Sequence, residues 1–144
     1  MTMTPGTGTS GKADRAGMAR VEYRLLRDAV IRDVERGRLS RVDVCDAHPE
    51  LVRAARNVGV PTDEDCPICA KSKTATVTFV FGPRLPPGGR CPGSAAELRR
   101  LCSRVEPVVC YAVEVCPGCS WHHLLRRYPA GGQAPRRRRA GQQA

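Results

Sequence analysis

A chain of 144 residues with a formal charge of +10 has room for one domain. Its charge favours polyanionic partners, nucleic acid or a ribonucleoprotein surface, through an attraction that needs no sequence readout. No run approaches the ~20 apolar residues that span a bilayer, and residues 1–18 lack the apolar stretch of an export signal, so a secreted disulfide scaffold is not expected for the eight cysteines. A cytoplasmic setting, reduced thiols and a bound metal are expected instead. Lys12, Arg15 and Arg136 to Arg139, against Asp14 alone, put half of the charge in the ends of the chain. Arginine supplies 21 of the 24 basic residues, and with abundant Ala, Gly and Pro this also matches the coding bias of a GC-rich genome.

Residues 1–18 offer no apolar periodicity to offset ordering entropy and are expected to be a disordered tail. A single domain is expected over 19–128, helical over 19–60 and ribbon-like over 61–128, followed by a disordered basic tail over 129–144. From Val21 to Arg36, the residues Val21, Leu25, Leu26, Ala29, Val30 and Val34 recur near a 3.6 period, predicting an amphipathic helix stopped at Gly37. Ser40 to Asp43 reads as a capping box with Asp in place of Glu, opening a short helix through Cys45. His48-Pro49-Glu50 opens the next helix, with proline at its first position and an acid near the positive end of the dipole. That helix carries Leu51, Val52, Ala54, Ala55 and Val58 to Gly59, with Arg53 and Arg56 on its flank.

An acidic turn, Asp63 to Asp65, leads into Cys66-Pro67-Ile68-Cys69. Thr74 to Phe81 alternates β-branched and aromatic residues and predicts a strand with Val77, Phe79 and Phe81 on its core face. Pro83 to Gly93 is a Pro- and Gly-rich loop. Ser94 to Glu97 is a second capping box, opening a helix with Leu98, Leu101 and Val105 inward. Val108 to Val115 predicts a strand running into Cys116-Pro117-Gly118-Cys119, and Trp121 to Tyr128 a final one.

The two C-x-x-C steps carry the chemistry. Proline fixes φ after the first thiol, and a tight turn then brings the second thiol to the same centre. Four thiolates from Cys66, Cys69, Cys116 and Cys119 make a tetrahedral structural Zn2+ site, with iron and a thiol–disulfide pair as alternatives. The 46 residues between the pairs exceed the 15–20 usual in a compact ribbon, but the strands bracketing the insert allow them to meet. Trp121, His122 and His123 follow the second step closely and are expected to cover the site or donate to a sulfur. Two adjacent histidines on a strand point to opposite faces, so at most one addresses the site. Cys45, Cys91, Cys102 and Cys110 show no ligand spacing; Cys102 and Cys110 read as buried small hydrophobes, and Cys91 as an exposed loop thiol. His48 beside Cys45 has the look of a nucleophile–base pair but serves as well as a helix-entry residue. No phosphate-cradling loop, paired carboxylates or Ser-His-Asp pattern appears, and the chain reads as a non-enzyme.

The pattern resembles a small actinobacterial family of unknown function with a zinc-ribbon-like C-x-x-C pair. The stretches that carry the resemblance are Val44 to Ala55, Cys66 to Cys69, the strand end Val80-Phe81-Gly82, Tyr111 to Cys116, and Cys119 to Leu124. It covers about residues 20–128 and implies an actinobacterial origin and a cytosolic setting. In that pattern asparagine stands where this chain has His48 and His122, which argues against catalytic roles for both, and the loop with Cys91 departs from it. The resemblance also draws attention to Cys45-Asp46.

The expected architecture is α+β: N-terminal helices packed on a small antiparallel zinc-ribbon-like sheet with an inserted helix. The expected function is a non-enzymatic structural-zinc protein that docks on nucleic acid or a ribonucleoprotein or transcription assembly through Arg53, Arg56, Arg126, Arg127 and Arg136, Arg137, Arg138 and Arg139. A zinc-stabilised adaptor whose N-terminal helices hold a protein partner is one alternative, and a thiol redox sensor the other.

Overall fold

The computed structural model describes residues 19–132. The expectations for residues 1–18, for Arg136 to Arg139 and for the rest of 133–144 lie outside these residues. In chain order the elements are β1 (Val21–Glu22), α1 (Arg24–Glu35), α2 (Arg41–Val44), α3 (Pro49–Asn57), β2 (Val60–Asp65), β3 (Lys73–Phe81), α4 (Ala95–Cys102), β4 (Pro107–Val115) and β5 (His122–Gly131). The strands pair antiparallel in one sheet, β1-β5-β4-β3-β2. The class is α+β, on a sheet of five strands. Among the described residues no helix is long and apolar enough to cross a membrane.

The sheet is built from two hairpins, β2–β3 and β4–β5, joined side by side by the β3–β4 ladder from Ala75↔Val115 to Phe81↔Val109. Antiparallel pairing puts the β2–β3 and β4–β5 turns at the same end of the sheet, and these turns are the two C-x-x-C steps. The excursion through the Pro-rich loop and α4 leaves and returns at the opposite end. This is why a long insert does not separate the cysteine pairs.

Helices cover both faces. On one, Leu51, Ala54 and Ala55 of α3 pack on Ala75, Val77 and Val115. On the other, Leu98, Leu101 and Cys102 of α4 pack on Val80, Val108 and Cys110. The expected single core face of β3 is therefore corrected: Val77 is buried, Phe79 and Phe81 are half-exposed beyond the end of α3, and Val80 is fully buried on the opposite face. Val105 lies past the end of α4 and is 63% exposed rather than inward.

Helix α1 departs from its expected register. Val21 and Glu22 pair with Arg127 and Arg126 as an edge strand, and the Tyr23 N–H donates to Leu125 O at 2.8 Å before the helix begins. The inward face is Arg27, Val30, Ile31 and Val34, while Leu25 and Leu26 are 84% and 60% exposed. The reason is electrostatic as well as apolar. Glu114 of β4 is 5% exposed on the sheet face and takes a two-pronged ion pair from Arg27, at 2.5 and 3.1 Å, which fixes the helix rotation. Glu114 holds the Arg27 guanidinium in its charged form against the opposing effect of burial.

Local signals account for the remaining helix starts. Ser40 and Asp43 form the capping box, 3.3 Å from the Asp43 N–H to Ser40 Oγ and 2.9 Å from the Ser40 N–H to Asp43 Oδ2. His48 caps α3 by accepting the Glu50 N–H at Nδ1, 3.0 Å. Ser94 accepts the Glu97 N–H, but Glu97 reaches back to the Gly93 N–H instead of closing a box on Ser94.

Candidate metal centre

Each C-x-x-C step folds into the same turn. In the first, the Cys66 N–H donates to Ser72 O at 2.8 Å and the Ala70 N–H to Cys66 O at 2.9 Å. In the second, the Cys116 N–H donates to Trp121 O at 2.8 Å and the Ser120 N–H to Cys116 O at 2.9 Å. The residue four beyond each first cysteine takes the left-handed conformation that closes the loop, with φ of 57° at Ala70 and 73° at Ser120. At the third position the steps differ, Ile68 against Gly118. Glycine there lets the two turns approach, since a Cβ would run into Ser72 Oγ of the neighbouring turn unless that hydroxyl moved.

The turns aim four thiols at one point. The sulfurs of Cys66, Cys69, Cys116 and Cys119 all lie within 4.8 Å of one another, with Cys66 to Cys119 at 3.7 Å and Cys69 to Cys116 at 3.8 Å. Tetrahedral sulfurs about 2.3 Å from a central ion would be about 3.8 Å apart, which the Cys66–Cys119 and Cys69–Cys116 distances match. Backbone amides converge on the sulfurs: Ile68 and Cys69 donate to Cys66 at 3.3 and 3.5 Å, Lys71 to Cys69 at 3.4 Å, and Cys119 to Cys116 at 3.4 Å. These amides favour thiolates. The Lys71 N–H in particular brings the Cys69 thiol down to about 7, whereas burial pushes Cys66 and Cys119 up. A divalent cation would supply the charge that lets the buried pair ionise. With four protein ligands its shell is closed, leaving no position for a reacting water.

A fifth thiol that spacing did not single out sits against this set. Cys45 donates its S–H to Cys119 Sγ at 3.4 Å. The segment carrying it straps the second turn: Asp46 Oδ1 is 3.1 Å from His122 Nε2, and the Ala47 N–H donates to Ser120 O at 2.9 Å. The signal in the sequence was the stretch around Cys45-Asp46 in the family resemblance, since no periodicity or ligand spacing marks it.

Trp121 is fully buried with Val44, Cys66 and Cys116 behind the site, and its Nε1 has no hydrogen-bond partner among the described residues. The ring of His123 stacks on it at 5.9 Å, and its Nδ1 lies 2.8 Å from Leu124 O. His122 addresses Asp46. Among the described residues neither histidine bonds a sulfur. The acids Asp63 to Asp65 belong to an exposed edge strand rather than a turn, and Asp65 pairs with Lys73 at 2.9 Å.

The arginines are dispersed. Arg53 is paired with Glu50 at 2.8 Å, Arg56 donates to Pro117 O at 2.9 Å, and Arg126 pairs with Glu22 at 3.3 Å. Arg127 lies opposite Tyr111, which lies opposite Phe79, so the three form a row across three strands on the sheet face beyond α3; the Arg127 Nε is buried without a partner among the described residues. Cys91 is half-buried against the core under α3, not exposed, because Arg90 bridges Val80 and draws the loop along β3. Cys102 and Cys110 face each other at 3.9 Å between α4 and β4, Cys110 fully buried and Cys102 partly so.

No solved structure matches the chain. The uncharacterized proteins Rv0049 of Mycobacterium tuberculosis and Mb0050 of Mycobacterium bovis are each 38% identical to it over 117 residues, covering 81% of this chain and 85% of theirs. The family of unknown function DUF5318 matches residues 15–144, nearly the whole chain, and the chain belongs to that family.

Proposed function

We propose that the chain is a non-enzymatic protein in which Zn2+ on Cys66, Cys69, Cys116 and Cys119 holds two hairpins together, and that the sheet so held docks on single-stranded nucleic acid or a ribonucleoprotein. The row Phe79, Tyr111 and Arg127 carries this reading. It sets two aromatic rings and a cation with no ion-pair partner among the described residues side by side on a sheet face. Bases stack on aromatic side chains whatever their sequence, and an adjacent guanidinium answers the phosphate. Zinc fits the all-thiolate donor set better than harder cations do.

Fluorescence anisotropy with labelled single-stranded RNA and DNA across a salt series tests it. Binding that weakens with salt and with Tyr111→Ala or Arg127→Ala is the expected result. No binding at low salt, or binding indifferent to these substitutions, contradicts it. One observation favours a second reading, a protein adaptor: Leu25, Leu26 and Val42 are exposed on α1 and α2. Crosslinking in cells that recovered one protein partner through Leu25 and Leu26, and no nucleic acid, would support it.

A further inference from the structure

We propose that Cys45 and Cys119 are a modification site, forming a reversible disulfide that withdraws one of the four metal-binding sulfurs when a hydroperoxide is present. This rests on the reading of the four-thiol set as a metal site.

The two sulfurs are 3.4 Å apart, closer than the pairs at 3.7 and 3.8 Å within the set. A disulfide needs about 2.05 Å, so each sulfur has well under an ångström to move if both share the approach. The backbone on either side is already held. The Asp46–His122 contact lies one residue after Cys45 and three after Cys119, and the Ala47–Ser120 hydrogen bond two after Cys45 and one after Cys119. Neither contact uses a sulfur of the four-thiol set.

Cys45 also differs in kind from the other four. Cys66, Cys69 and Cys116 each accept a backbone N–H and Cys119 accepts the Cys45 S–H, whereas among the described residues Cys45 accepts none and only donates its own proton. It stands outside the tetrahedral set, so its lone pairs are not committed to an ion. It is half-buried, within reach of a molecule as small as a hydroperoxide.

The chemistry balances in two steps. The Cys45 sulfur attacks the peroxide O–O bond, forming S–O and releasing hydroxide, which takes the thiol proton and leaves as water. The Cys119 sulfur then attacks the Cys45 sulfur, forming S–S and expelling the sulfenic oxygen, which leaves as a second water with the Cys119 proton or one from solvent. Two thiols lose two electrons and hydrogen peroxide gains them. The remaining three thiolates no longer close the shell, and a thiol reductant restores the fourth.

The test uses full-length protein, one portion loaded with zinc and one stripped of it, each titrated with hydrogen peroxide. Disulfides are mapped by non-reducing peptide mass spectrometry, and released zinc is read with a chromogenic chelator. The expected result is a Cys45–Cys119 linked peptide as the first product, zinc release in step with it, and reversal of both by dithiothreitol. Cys45→Ser, which leaves the four ligands in place, should bind zinc normally and release it several-fold more slowly under peroxide. A first disulfide between two of the four ligands, or equal release from Cys45→Ser, overturns the proposal. If the chain binds no zinc but still forms the Cys45–Cys119 link, the metal reading fails and the modification site stands; zinc bound with no such link reverses that outcome.

Discussion

Cys66–Cys69 and Cys116–Cys119 fold into the same turn, each with the second cysteine's N–H donating to the first sulfur, but their surroundings are unlike. The first cysteine of each is buried and the second half-buried, but beyond Cys69 the first turn is at the rim: Ala70 and Lys71 are exposed, and the edge strand leading in is acidic and solvated. The second is inside the structure: Cys116 and Trp121 are fully buried, Arg56 bonds Pro117 O, and the strap from Cys45 to Ala47 lies across Ser120. Ligand geometry and ligand burial are thus shared by the two short motifs, whereas the surroundings of each turn are conferred by what packs against it. Substitutions inside the structure and at the rim should have unequal consequences.

The largest effects concern the ion. Removing zinc with a chelator, or replacing any one of the four cysteines, should abolish a stabilisation on the order of 10 kcal/mol in binding terms. Cys116→Ser should further lower the stability of the metal-free chain, because it places a hydroxyl in a fully buried apolar cluster, while Cys69→Ser at the rim should not. Thermal unfolding of both variants with and without zinc separates the terms, and equal metal-free stabilities would break the distinction. Next, Trp121→Ala should cost about 3–5 kcal/mol in urea unfolding, as expected for a large buried ring.

Gly118→Ala sharpens the comparison at the one position where the turns differ. Its Cβ meets Ser72 Oγ, so a loss of about 1–3 kcal/mol is expected, and Ser72→Gly in the same chain should restore much of it. Ile68→Ala, the matching site in the first turn, should gain nothing from Ser72→Gly. The smallest effect is at the capping box of α2. Backbone and hydroxyl donors of Ser40 hold the exposed Asp43 carboxyl below its ordinary value. A depressed carboxylate contributes stability above the unfolded value of about 3.9 and loses it as pH falls through the lower folded value. Asp43→Asn should therefore flatten the acid limb of the stability profile slightly, and an unchanged limb would count against the capping role.

Much of this was readable before any fold was known, for a physical reason. The C-x-x-C steps, the Ser40 and His48 caps and the β-branched run into Phe81 are local patterns whose chemistry is complete within a few residues. What escaped depends on distant partners. The rotation of α1 is set by Glu114, 87 residues from Arg27 in sequence, so periodicity alone favoured Leu25 and Leu26. β2 is exposed and acidic because it is an edge strand that buries little, and β1 is two residues long; neither leaves an apolar alternation to detect. Cys45 reaches Cys119 only because the strap crosses the second turn, which no ligand spacing encodes.

The most direct test is the metal content of the native protein, by elemental analysis, together with its melting temperature before and after chelation. One zinc per chain, lost in Cys116→Ser, and a marked fall in melting temperature on chelation are the expected results. A protein that carries no metal, takes up none on adding zinc and melts at the same temperature in chelator would contradict the account.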